Sequence, residues 1–319
     1  MLPELYHSHL QHHLNDKQLL TLEILVGLLQ NLKQVRIERL ASCFPLPIKT
    51  ESRRRHIQRF LKLANLSMTT LWLPIVKSLI ESRFSPGETL YVIVDRTQWQ
   101  DKNLFMVAVR IGSRAIPIYW QFLEKRGASN LGEQQAVLRP VLRLFKKYQI
   151  VVLGDREFHS VKLANWLRNN QVSFVFRQKK STSLQLNSET QLKLKQIEIV
   201  PGKPQFLAGI QVTQQVEGED LSLAIYWKRK YRGKQEKEPW YLLTDLGDAT
   251  TAIEAYKKRV GIEEMFKDCK SGGYNLEGSH ASLERLTRLV LLIAIASASP
   301  ISSSLLRAST IVRSLTARV

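Results

Sequence analysis

The chain has 319 residues, with 47 Lys and Arg against 28 Asp and Glu, a net charge of +19 and a pI near 10. An apolar content of 44% excludes a disordered chain and supports about two or three folded domains, and the excess positive charge calls for a polyanionic partner, nucleic acid before membrane. The two isolated cysteines, Cys43 and Cys269, exclude a disulfide scaffold and a Cys-x-x-Cys zinc site and fit a reducing cytosol.

The polar, His-rich start from Met1 to His13 does not resemble a signal peptide, and the longest apolar run, Leu289 to Ala298, is too short to span a bilayer. His7, His9, His12 and His13 read as a flexible end. An apolar stripe from Leu19 to Leu29 predicts a helix ending near Asn31 and Lys33. A short helix follows over Val35 to Cys43, and Pro45 and Pro47 break it. A basic helix over Glu51 to Leu63 and an apolar one over Thr69 to Ser82 close a helical unit at Ser85-Pro86-Gly87.

From Thr89 the texture is that of strands. Leu90 to Val94 is a continuous β-rich run of the kind buried on both faces. Leu104 to Val109 and Ala115 to Phe122 read as two strands joined at Gly112-Ser113. A helix over Glu133 to Tyr148, a strand over Ile150 to Leu153, a helix over Val161 to Asn169 and a strand over Val172 to Phe176 complete a mixed α/β layer. Short alternating segments then predict a β-rich insertion: Ile197 to Val200, Phe206 to Val212 and Leu221 to Trp227. Trp240 to Leu246 is one more strand. A long helix over Asp248 to Lys270 is capped by Asp248 or Thr250, and Leu283 to Ala296 forms a last apolar helix.

The long helix carries Tyr256, Arg259, Glu263 and Lys270. At roughly 100° per residue their spacing gathers a phenol, a guanidinium, a carboxylate and an ammonium within about 60° of arc. That face suits a phosphate backbone beside a metal ion. Its plain alternative is a solvated face with an Arg259–Glu263 ion pair, although the apolar residues Ala255, Ile262, Met265, Phe266 and Cys269 border the stripe rather than oppose it. Asp95 and Asp155 each end a β-rich run. Taken singly, each reads first as a cap or turn residue. Emerging together at one sheet edge with Glu263, they form a set of hard oxygen ligands for Mg²⁺ or Mn²⁺, as phosphoryl transfer requires.

These residues resemble a bacterial insertion-sequence transposase of the DDE type, in the family numbered four with its Tyr-Arg-Glu-Lys motif. Tyr256, Arg259, Glu263 and Lys270 match the motif at each spacing; Gly154-Asp155-Arg156-Glu157-Phe158 matches the segment around the second Asp; and Trp240 to Thr244 matches a Trp-x-Leu-Leu-Thr segment. The likeness covers roughly residues 85 to 296, and for Asp95 it rests on a strand and chain order alone. It implies an α/β fold with a ribonuclease-H-like mixed sheet core, a β-rich insertion and an N-terminal helical DNA-binding domain. The expected divisions are 1–85 for that domain, 86–176 for the first part of the core, 177–246 for the insertion and its strand, 247–296 for the Glu-bearing helices, and 297–319 for an atypical tail.

The resemblance further implies metal ligation and catalysis by Asp95, Asp155 and Glu263, and phosphate contacts by Tyr256, Arg259 and Lys270. Two readings of Trp240 stand: a platform for a base turned out of the helix during hairpin formation, or a core aromatic. The partners implied are double-stranded DNA, as terminal inverted repeats and target, and a second copy of the chain in a synaptic complex. The place implied is the nucleoid of a bacterial cytoplasm.

Basic patches add a diffuse layer. Arg53, Arg54, Arg55, Arg59 and Lys62 lie on one helix behind a helix and a Pro-containing turn, a helix-turn-helix pattern that reads DNA or, equally, a solvated basic face. Lys228, Arg229, Lys230, Arg232, Lys234 and Lys237 interleave with Trp227 and Tyr231 in a loop suited to tracking a backbone or to solvent alone. The 297–319 tail holds seven serines, three arginines and no acid, and reads as a weak helix or an out-of-frame remnant. A catalytically inactive, truncated repressor that only binds DNA is therefore the alternative to an active transposase.

Overall fold

The computed structural model describes residues 2–185, 191–212, 221–229, 232, 236–270 and 272–298. It opens with helices α1 (Glu4–Leu10), α2 (Asp16–Leu32), α3 (Ile37–Cys43), α4 (Thr50–Phe60) and α5 (Leu73–Glu81). A capping box between Asn15 and Gln18 starts α2, and Lys33 ends it in the left-handed conformation at φ 48°. A π-helical turn, Met68–Trp72, precedes α5 where a plain helix start is expected from sequence. The N-terminal histidines do not form a flexible end. Tyr6 and Leu10 are buried, His7 Nε2 hydrogen-bonds Glu23 Oε1 at 2.7 Å, and His9 Nε2 meets Ser78 Oγ at 2.9 Å.

Ten strands follow among the described residues: β1 (Thr89–Trp99), β2 (Lys102–Ile111), β3 (Arg114–Phe122), β4 (Gln149–Gly154), β5 (Ser173–Arg177), β6 (Ser183–Gln185), β7 (Gln191–Lys193), β8 (Gln205–Val212), β9 (Leu221–Tyr226) and β10 (Trp240–Thr244). Their spatial order is β3-β2-β1-β4-β5-β10-β9-β8-β6-β7. β1, β4 and β5 run parallel, whereas β2 is antiparallel to β1 and to β3. Three antiparallel strands continued by two parallel ones are the ribonuclease-H-like core. Central β1 and β4 are almost wholly apolar up to Val94 and Gly154 because helices cover the sheet. Those helices are α6 (Leu131–Leu144), α7 (Val161–Asn169), α8 (Ala249–Lys257), α9 (Val260–Cys269) and α10 (283–298).

Several elements differ from the sequence reading. β1 does not stop at Asp95; it runs on to Trp99 because β2 pairs with it as far as Trp99–Lys102. The expected strand over Ile197 to Val200 is absent from that described stretch, which follows a 3-10 turn at Leu194–Gln196. The inserted strands β8 and β9 continue the main sheet through β10.

The single helix expected over Asp248 to Lys270 is two, α8 and α9, separated at Lys258 and Arg259. The turn tightens there: the N–H groups of Lys258, Arg259 and Ile262 each bond the carbonyl three residues back. Arg110 Nη1 also donates to the Lys258 carbonyl at 3.3 Å.

Helices α1–α5 share one continuous apolar core with the sheet. Trp72 Nε1 donates to the Pro117 carbonyl at 2.9 Å, the Val35 N–H to Tyr274 at 3.0 Å, and Gln30 Nε2 to Ala296 at 2.9 Å. No helix among the described residues is long and apolar enough to cross a membrane. The tail beyond 298, and Lys230, Tyr231 and Lys234 of the basic loop, lie outside the described residues.

Candidate active site

Parallel register pairs Val94 of β1 with Gly154 of β4. The next residue on each chain is an aspartate. Neighbouring strands stand about 4.8 Å apart, so Asp95, still within β1, and Asp155, just past the end of β4, stand side by side. β4 ends there, and Asp155 caps the 3-10 turn Arg156–Phe158, its Oδ1 accepting the Glu157 N–H at 2.8 Å. Asp95 Oδ1 accepts the Arg96 N–H at 2.7 Å. Gly154 is needed for close packing: a Cβ there would lie 2.7 Å from Phe158 Cβ and 3.0 Å from Phe176 Cδ1.

The break between α8 and α9 places Arg259 over these acids. Its Nη1 lies 3.1 Å from Asp95 Oδ2 and its Nη2 lies 2.8 Å from Glu263 Oε1. One guanidinium thus joins two of the three expected carboxylates. The Arg259 and Asp95 side chains are only 12% and 13% exposed, whereas Glu263 is 59% exposed and forms the rim. Burial pushes the carboxyl of Asp95 up to about 6; Arg259 and the Arg96 N–H oppose the rise, and the charges of Asp155 and Glu263 add to it. Burial works against the charge on Arg259, but Tyr256, Asp95 and Glu263 outweigh it and raise its pKa.

Tyr256 at the end of α8 is buried, which raises its phenol pKa against the pull of Arg259. Its ring meets Trp240 edge-on at 5.1 Å, and Trp240 also touches Tyr226 at 6.2 Å. Trp240 is therefore half-buried in an aromatic cluster beside the acids. Lys270 Nζ reaches the Gln98 carbonyl at 3.3 Å and lies 5.8 Å from the centre of the Trp99 ring. Of the four motif residues, Arg259 and Lys270 thus meet the second half of β1, Glu263 is tied to it through Arg259, and Tyr256 packs against Trp240 of β10. By contrast, Arg53, Arg54, Arg55 and Arg59 lie on α4, outside this cluster.

From sequence, Arg156 and Glu157 read either as residues that orient Asp155 or as a cap of the next helix; in the structure the Glu157 carboxylate has other partners. Glu157 is bound by Arg96 at 2.9 Å and accepts the Ser129 N–H at 2.8 Å and its hydroxyl at 2.6 Å. Burial raises its pKa, but Arg96 and Ser129 outweigh burial and hold it below the ordinary value. Asn103 Nδ2 donates to the Lys125 and Gly127 carbonyls at 2.8 and 3.0 Å. Loop 123–130 is thereby clamped beside Asp95 and Asp155. The sequence signal was only the Arg156-Glu157 pair next to Asp155; the partners are remote in the chain.

Among the described residues, no three His, Cys, Asp or Glu side chains stand close enough to hold a metal in common. The acids nevertheless fit a divalent cation by their chemistry. They are hard oxygen donors, and two of them, Asp95 and Glu263, already share the cationic guanidinium of Arg259.

Residues 124–298 match the family described as Transposase DDE domain, and they make up more than half of the chain. The chain belongs to this family. Asp155 and Glu263 fall inside the matched residues, whereas Asp95 precedes them. No curated protein matches the chain. Among solved structures it is similar to a piggyBac transposase synaptic complex with hairpin DNA, at 15% identity, covering 89% of this chain and 66% of that one, with a TM-score of 0.48. It is also similar to a Marinitoga piezophila Argonaute bound to guide RNA and target DNA, at 9% identity over 68% of this chain and 31% of that one, with a TM-score of 0.27. The chain therefore spans under two thirds of the length of either protein.

Proposed function

We propose that this DDE transposase-family chain is a DNA transposase of the Tyr-Arg-Glu-Lys group. It acts on terminal inverted repeats by metal-dependent strand cleavage and strand transfer. The observation that carries the reading is the Arg259 guanidinium shared by Asp95 and Glu263, next to the β1–β4 register that sets Asp155 beside Asp95. Members of this family generally use divalent metal ions. In this reading Asp95, Asp155 and Glu263 hold Mg²⁺ or Mn²⁺. Such an ion, when bound, supplies Lewis-acid activation of an attacking oxygen and charge neutralisation at the leaving one.

The chain's own residues do the rest. Arg259, released from the two acids, pairs with a phosphate. Lys270 and the Tyr256 hydroxyl fix neighbouring phosphates, and Trp240 offers a flat face to an unstacked base. Positioning and charge account for the chemistry, with no covalent enzyme intermediate. Pairing of two DNA ends requires at least a dimer. The N-terminal helices 1–85 serve as the DNA-binding domain of this reading.

The test is cleavage of a labelled end duplex with Mg²⁺. The native chain cuts and gives strand-transfer products, and Asp155→Ala binds the duplex without cutting. Binding without cutting by the native chain leaves a repressor; cutting without strand transfer leaves a nuclease.

A further inference from the structure

The run Arg53-Arg54-Arg55 does not act as one patch. Arg54 is held by Glu51, with Nε–Oε2 at 2.8 Å and Nη2–Oε1 at 3.0 Å. Arg53 Nη1 reaches the Ser42 carbonyl of α3 at 3.4 Å, tying the two helices together. Ser52, Arg55, Arg59 and Lys62 instead share one face of α4 and its extension, at helical spacing. Arg285 of α10 approaches that face from the far end of the chain. With Gln58 these side chains line a cleft of about 480 Å³.

No carboxylate lines this cleft. Arg55 has Glu51 at 3.2 Å, but Arg59, Lys62 and Arg285 enter no ion pair among the described residues. The field of Arg59 reaches into the protein: the pKa of His56 is lowered, by burial first and by Arg59 second. Like charges gathered in a concave surface without a counter-ion repel one another, and an anion relieves that repulsion. Ser52 and Gln58 add uncharged donors of the kind that phosphate oxygens accept. No residue of the lining is of an apolar or aromatic type, so the site is one for charge and hydrogen bonds.

We propose that the cleft between α4 and α10 binds a phosphodiester segment of DNA away from the acids, with Arg285 completing a site that α4 begins. The proposal rests on the DNA-binding reading above. It gives α4 a backbone-gripping role rather than base readout, and it couples the N-terminal helices to the helix that follows the Glu-bearing segment.

The test is fluorescence anisotropy with labelled duplexes of several unrelated sequences, titrated over a range of salt without divalent ions. Arg285→Ala and Lys62→Ala each lose about threefold to tenfold in affinity, and the slope of log K against log salt shrinks by about 0.9 per lost phosphate contact. Arg285→Lys keeps the slope, which separates charge from folding defects. Lys146→Ala, an exposed cation elsewhere, leaves it unchanged. Unchanged slopes for both alanine variants, with a native chain that binds DNA, overturn the cleft and leave the transposase reading standing. Affinity lost for one sequence only, with the slope intact, overturns it in favour of base readout. A native chain that does not bind the duplex overturns both.

Discussion

Asp95→Asn should stabilise the metal-free protein. The carboxyl titrates near 6 in the fold against a reference of 3.8. Asp95 is thus a group whose folded pKa is raised, and the native state binds more protons than the unfolded state between those values. Stability therefore falls as pH rises through that window. Above it, the buried charge costs about 3 kcal/mol, taking 1.36 kcal/mol per pKa unit. At pH near 5 the same linkage leaves about half of that. The amide imitates the protonated acid, so the variant should be more stable by up to about 3 kcal/mol near pH 8, raising Tm by roughly 4–5 °C. The gap should narrow on acidification.

Urea and thermal unfolding in EDTA, near pH 8 and near pH 5, measure this directly. Added Mg²⁺ or Mn²⁺ should stabilise the native chain and not the variant. A variant that is less stable near pH 8, or a gap that does not change with pH, would refute the idea that burial dominates the charge of Asp95.

Three further outcomes follow from the same contacts. Arg259→Ala removes the one cation shared by Asp95 and Glu263; breaking so buried a pair should cost up to about 3–5 kcal/mol, less where Asp95 takes up a proton, and it should abolish end cleavage. Gly154→Ala drives a methyl into Phe158 and Phe176, costing about 1–3 kcal/mol by urea denaturation and displacing Asp155, so cutting should fall further than stability alone explains. Glu157→Gln keeps the shape but weakens the Arg96 and Ser129 bonds; hydrogen exchange should speed up in loop 123–130 while the rest of the sheet is unchanged.

Much of the architecture lies in local pattern. The apolar runs of β1 and β4 and the spacing of Tyr256, Arg259, Glu263 and Lys270 are properties of near neighbours, so periodicity and β-propensity reveal them without knowledge of the fold. The three acids were nameable for this reason. What periodicity missed depended on partners far along the chain. β1 passes Asp95 because β2 lies beside it, and the Glu-bearing segment breaks at Lys258 where Arg110 binds its carbonyl.

By itself, then, the chain's order of residues determined which elements form and which charged groups each one carries. Only the tertiary structure decided that Val94 aligns with Gly154, that Arg259 bridges Asp95 to Glu263, that Arg53 and Arg54 are spent on α3 and Glu51, and that Arg285 reaches α4. Sheet register and side-chain pairing across the core are set by the joint packing of the whole chain, and a hydrogen bond or ion pair between remote residues leaves no mark in the sequence around either of them.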